Sequence, residues 1–442
     1  MVAIALPEIR QEFGLSHGAV AWLVSGYLIA MAVAQPIGGR LGDQIGRERV
    51  YRAGLVGFLV CSLAAALAPN YAFLIVLRIA QAVSGAVLIP NGTAMLRTQA
   101  PPERLGRLNG INASVISVAA AAGPLIGAAV LEVGAWRWMF PLSVPVVVVA
   151  LLLLRRLRID EAERPPRRAI DWMGMALFVA LLVVVTLQLS SARDGETGLA
   201  VAVRWCLAAI IAVAFIWRQI VSSSPAAEWP LFRSRTFSGA TAYLLLTNLA
   251  MYTTLLMVPF FIREVQAKGS LTSGLLLGAM SGLVALTAPL GGRLSDALGR
   301  RLPAQAGAIL MTAGAFALLV GLHADVSALY LAACLSVLGV GLGLGTGAAL
   351  TAAVESAPAR LAGSAAGTSS MMRYIGSIVG AGILAGVLNS SGADHAGVST
   401  FRFVALAVTA TAALAIAAAS FIERRPRAVG AGSHAVFGPQ RQ

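Results

Sequence analysis

The chain is 442 residues long, 58% hydrophobic and only 12% charged, with a mean hydropathy of +0.81. A soluble domain carries about a quarter of its residues as charges, so a water-soluble globular protein is excluded. The net charge of +14 does not point to nucleic acid, because the basic residues sit in short segments between apolar runs and make no continuous basic face.

Apolar runs of about 20 residues, the length that crosses a bilayer, recur from end to end. The first stretch is different: Met1 to Pro7 is apolar, and Glu8, Arg10, Gln11 and Glu12 follow. Seven helical residues reach about 10 Å against a bilayer core of about 30 Å, so it reads as the second half of a first helix. Complete spans are predicted at 19–39, 50–68, 73–96, 107–131, 138–154, 172–190, 200–220, 238–262, 273–292, 303–322, 327–353, 364–388 and 401–421. With the partial helix these make fourteen. Cys61, Cys206 and Cys334 all fall inside apolar runs without metal-like spacing and read as small buried hydrophobes. No metal, no organic cofactor, no cleavable leader and no soluble domain is expected.

One short stretch occurs twice. Gly38-Gly39-Arg40-Leu41-Gly42-Asp43-Gln44-Ile45-Gly46-Arg47 returns 253 residues later as Gly291-Gly292-Arg293-Leu294-Ser295-Asp296-Ala297-Leu298-Gly299-Arg300, with Pro36 and Pro289 before it. A weaker repeat matches Pro102-Glu103-Arg104-Leu105 to Pro358-Ala359-Arg360-Leu361. The two repeats together predict a duplicated six-helix unit: 1–154 and 238–421, with a linker at 155–171, an inserted helix pair at 172–220, a second linker at 221–237 and a tail at 422–442. Of the 33 basic residues, 24 fall on one side of these spans, seven on the other and two, Arg78 and Arg373, inside them. The side rich in arginine is expected to be cytoplasmic, which places both glycine–arginine loops and the C-terminal tail there. The six arginines of 155–168 read as a membrane-surface anchor.

Several residues could carry chemistry. In the repeated loop, glycines allow sharp turns and close helix approach. Asp43 can pair with Arg47, or face a helix N-terminus of the other half and so bias alternating access. Arg78 lies within a span, where a charge needs a cavity or a partner, and Gln81 and Ser84 extend a polar stripe along its helix. Gly123-Pro124-Leu125-Ile126-Gly127 bends a span rich in small residues and lets a neighbour approach. Arg373, near Ser369, Ser370 and Tyr374, is a candidate cavity residue. Asn248, Met251, Tyr252, Pro259 and Phe260 suit a loose apolar pocket. The competing readings are a plain helix-connecting turn for the repeated loop, snorkelling to the interface for Arg78, a satisfied structural arginine for Arg373, and helix packing for the Pro124 run and the Asn248–Phe260 set. No carboxylate lies mid-span: Glu132, Glu264 and Glu355 fall at helix ends, and Asp194, Glu196 and Asp325 lie in loops.

These features together resemble the major facilitator superfamily, in its fourteen-helix drug:proton antiporter branch, over nearly the whole chain. Gly39, Arg40, Gly42, Asp43, Gly46 and Arg47, with Arg293, Asp296, Gly299 and Arg300, resemble the superfamily's loop signature. Leu74, Arg78 and Gln81 resemble its proton-transfer motif, with Ala82 in place of the usual glycine. Gly123, Pro124 and Gly127 resemble its antiporter motif, with Ala119 and Ala128 in place of glycines. The resemblance implies an all-α membrane fold of two pseudo-symmetric halves, a monomer in the cytoplasmic membrane, and a cavity between the halves. It also places the family's first-helix acid just upstream of Met1. The expected activity is proton-driven export of amphipathic, often cationic, small molecules. The alternatives are a dedicated exporter of one metabolite and a non-transporting sensor or scaffold. Enzymatic activity is not expected, because no nucleophile–base or metal-spaced cluster is present.

Overall fold

The computed structural model describes residues 2–99, 105–156, 171–190, 198–222, 229–358, 361–390 and 397–423. Pro102, Glu103 and Arg104, Ala359 and Arg360, Asp194 and Glu196, nearly all of the 155–171 linker and the tail after Glu423 lie outside the described residues.

The described residues are helical throughout. The order is α1 (Val2–Phe13), α2 (His17–Ile45), α3 (Arg47–Ala66), α4 (Tyr71–Ala86), α5 (Leu88–Gln99), α6 (Leu105–Val133), α7 (Ser143–Arg156), α8 (Trp172–Ser190), α9 (Gly198–Val221), α10 (Arg235–Glu264), α11 (Ser270–Leu298), α12 (Arg301–Gly321), α13 (Ala328–Glu355), α14 (Ala362–Ser390) and α15 (Val398–Ser420). Short 3₁₀ turns lie at Trp136–Met139 and Trp229–Arg233. Twelve of the described segments are long and apolar enough to cross a membrane, with α4 and α5 counted together as Tyr71–Leu96. The α6 stretch Ala122–Val133 is apolar but shorter, and α1 has 12 residues. Side-chain caps fix several helix starts: Ser16, Asn70, Ser234 and Ser327 each accept a hydrogen bond from the backbone N–H three residues on.

Three expectations change. The repeated glycine–arginine stretch is not a loop. Residues 38–45 are the last turns of α2, and the chain reverses at Gly46 alone, with φ +106° before α3 begins. The second copy is similar but two residues long: α11 runs to Leu298, Gly299 has φ +87°, and Arg300 precedes α12. Only glycine takes such a φ without strain, so one or two residues suffice where a loop was expected. The span predicted at 73–96 is broken at Val87, because Pro90 cannot donate to the Ala86 carbonyl and its ring crowds that oxygen. The third concerns Cys206, which lies on the exposed face of α9 and is not buried.

Glycine sets the close packing within α10–α15. A Cβ on Gly314 would stand 2.7 Å from the Cys334 carbonyl of α13, and one on Gly380 would stand 2.5 Å from the Leu249 carbonyl of α10. Small residues of this kind let membrane helices touch along their backbones. The first helices meet this group where α6 packs on α11, α2 on α14, and α1 on α10 and α11. Helices α8 and α9 pack on each other, and α8 also lies on α14 and α2. An apolar cavity of about 270 Å³ separates this pair from α14, lined by Phe178, Leu182, Phe215, Met371 and Ile375 among others.

Candidate functional site

Arg78 lies on the inner face of α4. Its Nη1 donates to Oε1 of Gln81 at 2.6 Å, and Gln81 in turn donates from Nε2 to the Ser62 hydroxyl of α3 at 2.6 Å. The guanidinium sits 4.2 Å over the ring of Tyr27 on α2, and its Nε is sealed from solvent without a protein partner among the described residues. The side chain is thus held inward and does not reach for the interface. Ser84 departs from the expected stripe: its hydroxyl bonds the Ala80 carbonyl and abuts Gly57 of α3. Sequence spacing gives neighbours on one helix, so Tyr27 and Ser62, on two other helices, carried no signal beside Arg78.

From the other group, Tyr252 of α10 stands within electrostatic range of Tyr374 and Arg373 of α14 and of Tyr27. Two arginines and three tyrosines from α2, α4, α10 and α14 therefore converge on one region between the helix groups. Nε of Arg373 is buried without a protein partner among the described residues, and the Ser377 hydroxyl bonds the Arg373 carbonyl. Ser369 is not part of this environment, since its hydroxyl caps the Ala365 carbonyl. Met251 is half-buried beside Tyr252. Asn248 is buried, and its Nδ2 donates to the Leu244 carbonyl at 2.9 Å.

The α6 segment around Pro124 meets α11. A Cβ on Gly278 would stand 2.5 Å from the side chain of Leu125, and one on Gly274 would overlap Ala128 and lie 3.1 Å from the Pro124 carbonyl. Pro124 and Gly127 are buried, and Gly123 is half-buried. The small-residue seam thus joins the two helix groups.

At the glycine–arginine turns, Arg47 donates to Asp43 at 2.8 Å, one turn earlier on the same segment. Gly38 and Gly42 admit α5: Asn91 donates from Nδ2 to the Gly38 carbonyl at 2.9 Å and to the Val87 carbonyl at 2.8 Å. A Cβ on Gly42 would overlap Asn91 Oδ1. In the second copy Arg300 binds Asp296 at 2.6 Å and Glu355 through two bonds of 2.9 and 2.7 Å. The Glu355 carboxylate, with Asp296 adding to it against the cost of burial, holds the Arg300 guanidinium firmly protonated. Gly39 and Arg40 are half-buried, and Arg293 is exposed.

At this basic end the pairs Arg47–Asp43, Arg52–Glu48, Arg300–Asp296 and Arg300–Glu355 each stay within one helix group. Those that join the groups, Arg10–Glu264 and His17–Glu264, lie at the far end. The acids that sequence reading left at helix ends, Glu132 and Glu264, therefore take part in closing that end. Their partners stand more than 100 residues away, as in the bond from Leu271 N–H to Glu132 at 3.2 Å.

A profile of the Major Facilitator Superfamily matches residues 1–381. The tetracenomycin C resistance and export protein of Streptomyces glaucescens is 30% identical, over 88% of this chain and 72% of that protein. The multidrug resistance protein Stp of Mycobacterium tuberculosis is 30% identical over the same shares. Among solved structures, a peptide transporter of the POT type superimposes with a TM-score of 0.68, covering 96% of this chain and 91% of that one at 17% identity, a likeness of fold.

Proposed function

The chain belongs to the Major Facilitator Superfamily, and from that premise we propose that it exports amphipathic small molecules across the cytoplasmic membrane in exchange for protons, by alternating access. The observation that carries this reading is Arg78: a charged side chain fixed inward by Gln81 and Tyr27, where the two helix groups meet. An intramembrane arginine is costly and marks an ion or substrate path. The names of two relatives, a drug-resistance protein and an antibiotic export protein, support the export direction.

In this proposal α1–α7 and α10–α15 are the two six-helix halves, α8–α9 the inserted pair, and the full arrangement has fourteen membrane helices. The arginine-rich end faces the cytoplasm. The far end, closed by Glu264, is then the outer side, so the halves stand in an inward-facing arrangement. Asp43–Arg47 and Asp296–Arg300 act as switch points at the inner end, Pro124 and its glycines as the seam that limits leak, and Tyr252, Met251 and Arg373 as the cavity wall. The protein works as a monomer. A dedicated exporter of one compound is the second reading, favoured by the relative named for a single antibiotic.

The test is ethidium accumulation in energised cells with and without a protonophore, beside Arg78→Ala. Protonophore-sensitive exclusion, lost in the variant, is the expected outcome. Exclusion that persists in the variant would remove Arg78 from coupling. Absence of exclusion in the parent, with membrane insertion verified, would move the weight to the single-compound exporter.

A further inference from the structure

Glu264, the last residue of α10, receives two partners from the other half on one oxygen. Arg10 of α1 donates to Oε1 at 3.0 Å, and Nε2 of His17, the first residue of α2, lies 2.8 Å from the same atom. The imidazole is 6% exposed and the carboxylate 10%. Phe260 packs edge-on against the imidazole ring, and Oε2 of Glu264 is sealed without a protein partner among the described residues. On either side, Asn389 of α14 accepts from Gly18 N–H at 3.1 Å and Arg263 donates to Gln11 at 3.3 Å.

Other charges face the pair from every element packed there. Glu12 of α1 is bound to Arg137, Glu132 of α6 to the Leu271 N–H, and Glu8 lies within range of Arg263 and Glu132. Lys268, His323 and Arg402 at the same end bond Gln266, the Gly321 carbonyl and the Leu322 carbonyl, and Asp325 lies in the adjoining turn.

We propose that His17 and Glu264 form a proton-binding site at the outer gate, where a proton taken from the outer solution latches the two halves together. This rests on the proton-coupled reading above. With the ring hydrogen on Nε2, facing the Glu264 carboxylate, a proton added at Nδ1 turns a neutral contact into an imidazolium–carboxylate pair. Imidazoles change charge between about pH 5 and 8, and a charge-assisted bond is roughly twice as strong as a neutral one. When the halves part, both groups return to water and the pair loses most of its value. Proton uptake and closure therefore favour each other.

The experiment is a spin-label distance measurement on the full chain in lipid nanodiscs. Labels replace Leu67, after α3, and Leu329, in α13, which are 80% and 81% exposed on opposite halves at this end; Cys61, Cys206 and Cys334 are first replaced by alanine. On going from about pH 8 to about pH 5.5, the short-distance population should rise about fivefold in the parent. His17→Gln and Glu264→Gln should abolish that step, and His17→Lys, charged throughout, should stay short at both values. A parent without the step, a His17→Gln protein that keeps it, or a His17→Lys protein that still responds overturns the site. The readout needs no transport, so failure of proton-driven export and failure of the gate site are seen separately.

Discussion

The guanidinium of Arg78 lies 4.2 Å over the ring of Tyr27, so α4 and α2 are joined by a cation–π contact inside the membrane region. A contact of this kind, shielded from water, is worth about 2 kcal/mol. We predict that Tyr27→Phe keeps export near the parent rate, because the ring face remains, and that Tyr27→Leu lowers it about tenfold. Export rates in inverted vesicles, normalised to inserted protein, decide the matter; equal rates for the two variants would show that the ring face is not used.

Gly42→Ala should lower the yield of monodisperse protein in detergent, because the new Cβ overlaps Asn91 Oδ1. Adding Asn91→Ala should restore part of it, since the obstruction is a side chain, although the Gly38 carbonyl then loses its donor. Gly38→Ala has no such remedy, as its Cβ would stand 2.7 Å from the Cα of Val87. Rescue of Gly38→Ala by Asn91→Ala would contradict this geometry.

Arg300 makes two bonds to Glu355 and one to Asp296, and the three are not equivalent. Arg300→Lys gives up the paired geometry and should cost about 1 kcal/mol, a value kept low by the partial exposure of Glu355. Asp296→Asn should cost less, because that carboxylate is 77% exposed. Thermal unfolding in a single detergent ranks the two, and a larger shift for Asp296→Asn would reverse the assignment.

Asp171 precedes α8 and ties the α8–α9 pair together. Burial works against its charge, but the Gly174 N–H, Arg218 and Ser222 outweigh it and hold the carboxyl below its usual range. A folded value below the unfolded one means that this carboxylate stabilises the pair at neutral pH. That contribution fades as pH falls past the ordinary aspartate value of about 3.9 and on through the lower folded one. Protection of the α8 amides, taken relative to intrinsic exchange at each pH, should therefore fall in strong acid in the parent, and should be low already at neutral pH in Asp171→Asn. A parent and variant with matching profiles would sink the idea.

The spans were legible because apolar runs of bilayer length need no tertiary information. The α8 expectation of 172–190 coincides with Trp172–Ser190. Residues 38–45 were misread because glycine and charge in a soluble chain signal a loop, whereas between membrane helices the same residues finish a helix at a tight contact. Val87 was missed since Pro90 was read inside an unbroken apolar run. At the candidate site, Arg78 with Gln81 was readable as an i,i+3 pair on one helix. Tyr27, Ser62, Asn91 and the meeting of His17 with Glu264 depend on how distant helices dock, and no local pattern encodes that.

Two long helices joined through one residue at Gly46, or through two at Gly299 and Arg300, form an elbow with little slack. At Gly46 and at Gly299 there is little spare chain to absorb a change of angle, so α2 cannot tilt without carrying α3, nor α11 without α12. Each pair is a stiff bracket, and a displacement at its far end arrives at the turn as torque on one or two residues. Inserting even two flexible residues there would disconnect the lever while leaving every membrane helix intact.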